Sequence, residues 1–350
     1  MRALALAAIP LYCLSAYAQD IRVYRQAHEK EVLNSFVQFL SIPNVADDTV
    51  NIARNADFIV KAFAGQGVKA RLLQVPGAPP VVYAEIEPPH AQGAITFYAH
   101  YDGQPVEPAK WSTPPFQPTL RGDRLYGRST SDDKAPIQAI LTSLDAMKSA
   151  GMQPSAHLRF FFEGEEEAGS PHLPQIVEKY RDLLKTDVWL FCDGPVDQSR
   201  KQQIYFGARG DTHVDLTVYG PLHELHSGHY GNWAPNPAMM LARLLTSMQD
   251  DNGHVLIENF YSGMEPFTAS EKEALEKAPA NDEALKHEFG ITRTEGNHQR
   301  LISSISQPSL TIRGMLSGSA GATARNVIPS TAEAKRKHPA PEFMGRHRND

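Results

Sequence analysis

Disulfide bonding has almost nothing to work with in this chain. Cys13 and Cys192 are its two cysteines among 350 residues, so at most one intramolecular bridge can form. Basic residues do not lead either: 34 lysines and arginines against 40 aspartates and glutamates leave a formal net charge of −6. That balance, with no basic stripe interleaved with aromatics, argues against a nucleic-acid binder. The apolar stretch Leu4–Leu14 is shorter than the roughly 20 residues that a bilayer span needs, so no membrane role is expected. There is no internal repeat and no long low-complexity segment.

What is present is ordinary for a globular chain, with 41% hydrophobic and 21% charged residues, and is long enough for two domains with separate cores. The first residues stand apart. Arg2 gives a positive start, Leu4–Leu14 is apolar, and Ala16-Tyr17-Ala18 supplies small residues before Gln19. This reads as a signal peptide over residues 1–18, implying a secreted or periplasmic protein in which Cys192 is left alone and no disulfide is possible. Bulky Tyr12 before Cys13 makes a poor lipoprotein cysteine.

Helical spacing predicts a helix from Ile21 to Leu40, ended by Pro43, and a second from Thr49 to Gln66, with Gly67 as its C-terminal cap. Strands are expected at Val68–Val75, Val81–Ile86, Ala94–Ala99, Leu158–Phe162 and Val188–Cys192. Helices are expected after Pro136, with Ile137, Leu141 and Leu144 on the apolar face, and through Leu173–Leu184. Alternating strands and helices predict an α/β fold: a mixed, largely parallel sheet flanked by helices. Past Gly207 the texture changes to alternating Val214, Leu216 and Val218, a helix through Leu241–Met248, two charged helical stretches and a strand at Ser309–Met315. This predicts a small inserted α+β lid.

The chain is organised around one acidic run, "RFFFEGEEEAGS", from Arg159 to Ser170. Carboxylates crowded at a strand's end repel one another and lose hydration; a metal ion would offset that cost, and an acidic first helical turn is the competing explanation. His100, the Glu166–Glu167 pair and Asp193 each follow a predicted strand's C-terminal end, and Asp132 precedes a helix. Open α/β sheets bind ligands at that edge.

Imidazole and carboxylates suit Zn²⁺, with Mn²⁺ or Co²⁺ as substitutes. One ion can take His100, Asp132 and Asp193, and a second can share Asp132 and take Glu167. Two ions roughly 3.5–4 Å apart can polarise a carbonyl and activate water, with Glu166 as general base and Asp102 orienting His100. This is amide-hydrolysis chemistry. Asp133 competes with Asp132 for the ligand role, and helix capping can explain either.

The motifs "HYDGQP", "LYGRSTSDDK", "EGEEEAGS", "CDG", "HSGHYGN" and "NVIPS" together resemble the aminoacylase and carboxypeptidase-like zinc metallopeptidases, metallopeptidase family twenty, in its carnosinase-type dipeptidase branch. The resemblance implies a two-zinc peptidase acting on small peptides, with a ferredoxin-like α+β lid that forms a homodimer. It carries over His100, Asp132, Glu167 and Asp193 as metal ligands, Asp132 bridging. It further implies Glu166 as base, Asp102 as support for His100, and His226 as the lid histidine that stabilises the oxyanion, with His223 and His229 as its neighbours. The closest alternative is a deacylase of N-acyl amino acids; an alternative of another class is a non-catalytic binding protein on the same fold.

The expected organisation is a catalytic domain over 19–207, a lid over 208–335 and an aberrant tail over 336–350. The tail "RKHPAPEFMGRHRND" has no strand period, and His338 and His347 lack the surroundings that the family gives its last ligand. The expectation is therefore a C-terminally truncated or altered chain with an incomplete lid, one tightly bound zinc and little or no activity.

Overall fold

The computed structural model describes residues 21–194, 203–205, 207–210, 212–295 and 300–338. The signal-peptide expectation for residues 1–18 and the histidine His347 lie outside the described residues. The chain divides into two compact units, Met1–Pro195 and Val196–Asp350.

In the first unit a five-stranded sheet is built from β1 (Ala70–Leu73), β2 (Val81–Ile86), β3 (Ala94–His100), β6 (His157–Glu163) and β7 (Val188–Phe191), in the order β1-β2-β6-β3-β7. A small hairpin of β4 (Thr119–Arg121) and β5 (Arg124–Tyr126) lies in the loop between β3 and the helix Lys134–Ser149. The three strands that end near His100, Glu166 and Asp193 share this one sheet, as the sequence predicts. β3 pairs in parallel with both β6 and β7, whereas β1–β2 and β2–β6 are antiparallel. The sheet is therefore evenly mixed rather than largely parallel. The reason is connection length: the links leaving β1 and β2 are too short for a crossover helix, so the chain must reverse direction.

β6 is the central strand, and its three phenylalanines are buried on both faces. Phe160 and Phe162 enter a core with Phe39, Ile52, Ile59 and Phe63 from the helices Glu29–Leu40 and Thr49–Gly65, and with Ile137 and Leu141 from Lys134–Ser149. Phe161 enters the opposite core with Leu73, Tyr83, Tyr98, Ile176 and Leu184. Burying each phenylalanine contributes about 1.5–3 kcal/mol, which pins the strand that carries the acidic run.

In the second unit β8 (Thr212–Tyr219), β10 (Thr311–Ser317) and β12 (Thr331–His338) form an antiparallel sheet in the order β10-β12-β8. The helix Pro237–Thr246 packs Leu241 and Leu245 against Ala332, Ala334, Leu216 and Val218. β9 (Leu225–His226) pairs with β11 (Val327–Ile328). β12 stays paired as far as His338, three residues into the stretch read as having no strand period. Backbone hydrogen bonds to neighbours on both sides hold the extended chain there, and a side-chain period is not required for that. Residues beyond 338 lie outside the described residues. Among the described residues no helix is long and apolar enough to cross a membrane.

Candidate metal centre

The site begins with strand register. β3 runs parallel to β6 with His100 opposite Glu163, and parallel to β7 with Tyr98 opposite Phe191. Three C-terminal strand ends therefore open at one edge, delivering His100, the turn Glu166–Ala168 and Asp193 together. The helix Lys134–Ser149 begins at the same edge, with Asp132 and Asp133 just before it.

His100 is the hub, and it is buried. Its Nε2 lies 3.0 Å from Asp132 Oδ1, 3.8 Å from Asp193 Oδ2 and 3.9 Å from Glu166 Oε2. Asp102 Oδ1 lies 3.3 Å from Nδ1, close enough for an ion pair, although Nδ1 has no hydrogen bond of regular geometry. Asp102 is buried too, and its two oxygens accept the backbone N–H groups of Glu166 at 3.1 Å and Glu167 at 2.9 Å. One carboxylate thus backs the imidazole and holds the acidic turn. Gln104 Nε2 donates to Glu167 Oε2 at 2.7 Å.

The electrostatics are those of a site with too many negative charges. Burial pushes the Asp133 carboxyl up to about 8, with Asp193 and Asp132 adding to it and the His100 contact opposing. Burial likewise raises Glu166 to about 7, reinforced by Asp193 and Glu167 against the pull of His100. Asp193 is raised by burial as well. For His100 burial works against the charged ring, but the close contact and charge of Asp102, with Asp133 and Glu166, outweigh it and push the ring up to about 10. A half-buried cluster that must hold protons to remain together is what a dication relieves.

The donor set fits such an ion. Ligand atoms of His100, Asp132 and Glu167 lie within 4.8 Å of one another, and so do those of His100, Asp133 and Asp193. The structure brings together His100, Asp102, Asp132, Glu166, Glu167 and Asp193. His226 belongs to the second unit, where its Nδ1 accepts the Gly228 N–H at 3.1 Å and its ring lies tilted against that of His229. Sequence reasoning undervalued Asp133. It precedes the helix, yet its side chain makes no capping bond and instead accepts the backbone N–H of His100 at 3.1 Å. No local signal in the sequence distinguishes those two uses of an aspartate.

The model of peptidase family M20/M25/M40 matches residues 96–305, more than half of the chain and all of these site residues. The chain belongs to this family. Among M20 relatives, human β-Ala-His dipeptidase is 29% identical over 274 residues, covering 73% of this chain. The chain spans about half the length of that protein, 54%. The Cys-Gly metallodipeptidase dug1 of Schizosaccharomyces pombe is 28% identical over 325 residues, covering 87% of this chain and 68% of that one. Among solved structures, the M20 family metallo-carboxypeptidase Sso-CP2 of Sulfolobus solfataricus superposes with a TM-score of 0.76 at 30% identity, covering 88% of this chain and 71% of that one.

Proposed function

We propose that the protein is a metal-dependent peptidase that hydrolyses the amide bond of small peptides, dipeptides foremost. The observation that carries this is the position of Glu166. It stands 3.9 Å from the His100 ring with its carboxyl raised to about 7, beside two groups of metal-ligating atoms to which it does not belong. A general base works best with a pKa near the working pH, and a binding protein would have little use for one there.

His100, Asp132 and Asp193 would hold one divalent ion, zinc by the chemistry of the donors with manganese or cobalt as substitutes, and Asp132 with Glu167 a second. A divalent ion there supplies Lewis acidity toward the scissile carbonyl and toward water. The ligating atoms that lie together among the described residues form two groups, His100 with Asp132 and Glu167 and His100 with Asp133 and Asp193. Both groups draw on the same imidazole, so one ion should bind more tightly than the other. Glu166 takes the proton from the attacking water and returns it to the leaving amine. Asp102 holds the His100 ring and, through two backbone N–H groups, the turn that carries Glu166. His226 is proposed to stabilise the oxyanion from a lid that pairs in a homodimer, and the protein to work outside the cytosol; both rest on the sequence reading.

Similarity to proteins named as dipeptidases supports peptides, rather than N-acyl amino acids, as the substrates of this chain. The test is an assay with excess zinc or manganese on β-Ala-His, Cys-Gly and other dipeptides against N-acetyl amino acids. Faster cleavage of the dipeptides is expected. Preference for the acyl substrates would make the protein a deacylase, and no turnover of either by metal-loaded protein is the outcome expected of a binder or of the altered, inactive chain that the sequence reading expects.

A further inference from the structure

Every residue of the metal centre lies at the end of β3, in the turns that follow β3, β6 and β7, or in the segment leading into the helix Lys134–Ser149, but a group that locks two of these pieces together comes from elsewhere. The segment between the helices Glu29–Leu40 and Thr49–Gly65 carries none of the residues of the metal centre, and Asn44 at its middle is fully buried. Its Nδ2 donates to the carbonyl of Tyr101 and to Ser129 Oγ, each at 2.9 Å, and its backbone carbonyl accepts the N–H of Gly103 at 2.8 Å. A carbonyl oxygen only accepts, so the Tyr101 bond fixes which end of the amide faces the site.

The placement of those bonds is specific. Tyr101 and Gly103 flank Asp102, the carboxylate that supports both His100 and the acidic turn. Ser129 lies three residues before Asp132 and takes the left-handed backbone, φ +61°, that a non-glycine residue holds only when its surroundings impose it. One amide nitrogen therefore ties the His100–Asp102 loop to the Asp132–Asp133 loop, and neither loop can move from the other without breaking a buried bond. The packing closes on the same point. A Cβ at Gly103 would meet Ser129 Oγ at 2.7 Å, Arg128 Cδ at 3.0 Å and Asn44 Nδ2 at 3.1 Å. A second tie lies alongside: the buried Lys134 donates through Nζ to the carbonyls of Phe39 and Ile42, at 2.9 and 3.0 Å.

We propose that Asn44 is a positioning residue for the metal centre, setting the separation of the loop that bears His100 and Asp102 from the loop that bears Asp132. The proposal rests on the metal-centre reading given above. It makes ion affinity and ligand geometry, not merely fold stability, depend on an amide that touches no ligand.

The test compares wild type with Asn44→Asp and with Ser129→Ala, which removes one acceptor. Asn44→Asp keeps the shape and replaces the donor by an acceptor whose negative charge would by itself favour a cation, so that weaker binding reports the lost donor. Ile176→Val serves as control, thinning the core on the other face of the sheet, away from both loops. Three quantities are read: the dissociation constants for Zn²⁺ and Co²⁺ by chelator competition, the visible spectrum of the Co²⁺ protein, and the melting temperature of the metal-free protein. Partners behind metal ligands typically influence affinity by about 10–100-fold, and Asn44→Asp should weaken binding by at least about tenfold and shift the Co²⁺ bands. Ser129→Ala should weaken binding less, and Ile176→Val should lower only the melting temperature. Unchanged affinity and spectrum in Asn44→Asp would overturn the proposal, as would affinity losses in all three variants that follow their melting temperatures. Should Asn44→Asp not fold, Ser129→Ala decides: wild-type affinity and spectrum in that variant overturn it. Wild-type protein that takes up neither ion would overturn the metal reading and this proposal with it.

Discussion

The Oδ2 atom of Asp102 accepts the backbone N–H of Glu167 at 2.9 Å, joining the loop after β3 to the turn after β6. The other oxygen of the same carboxylate accepts the Glu166 N–H and lies 3.3 Å from His100 Nδ1. Removing this group therefore disturbs the imidazole and the acidic turn together. Asp102→Ala should weaken metal affinity by about 10–100-fold, because the ring loses its orienting partner and two part-buried N–H groups lose their acceptor. Isothermal titration of the metal-free protein with zinc measures it. An affinity within twofold of wild type would show that His100 is held by other means.

Glu166→Gln separates base from ligand. The amide keeps the shape of the side chain and cannot accept a proton, so dipeptide turnover should fall by about 10²–10⁴-fold while bound metal stays near the wild-type amount. Steady-state rates measured beside metal content by emission spectrometry check both halves. Loss of the metal along with the rate would place Glu166 among the ligands.

The pH dependence of stability follows from three groups that hold their protons longer in the fold than in the unfolded chain. Glu166 rises from 4.5 to about 7, Asp133 from 3.8 to about 8 and His100 from 6.5 to about 10. Each contributes stability that is complete below its unfolded pKa and is lost as pH rises through its folded value. The metal-free protein should therefore lose stability steadily across the neutral range. Metal binding needs the His100 ring neutral and the carboxyls that ligate beside it ionised, so the melting-temperature gap between metal-loaded and metal-free protein should widen from about pH 5 to about pH 8. Scanning calorimetry at both pH values measures the gap, and a constant gap would contradict the assignment.

Gly164 sits where no side chain fits. A Cβ there would meet the Tyr101 ring and hydroxyl at 2.5 Å, and Tyr101 is buried between His100 and Asp102 in sequence. Gly164→Ala should cost about 1–3 kcal/mol in urea unfolding through overpacking. It should also weaken metal binding, because the ring can yield only by moving its two neighbours. A loss of stability with metal affinity intact would show that Tyr101 moves without them.

The amino-acid sequence by itself determined where the strands and most helices lie and which strand ends carry chemistry. The run Arg159–Ser170 is legible because three phenylalanines demand burial on both faces while the following carboxylates cannot be buried without a partner. His100, Glu167 and Asp193 stand out as imidazole and carboxylates at or just after strand ends, and Asp132 as a carboxylate just before a helix. Tertiary structure decided the rest. It reversed β1 and β2 against their neighbours, carried β12 to His338, and turned Asp133 from a capping position toward the His100 backbone. It also chose Asn44, whose side chain finds Tyr101 across 57 residues of chain and Ser129 across 85. Periodicity and propensity record what a residue does with its near neighbours along the chain. A hydrogen bond closed by the fold over such distances leaves no trace in that record, because any buried polar residue looks alike until its partner arrives.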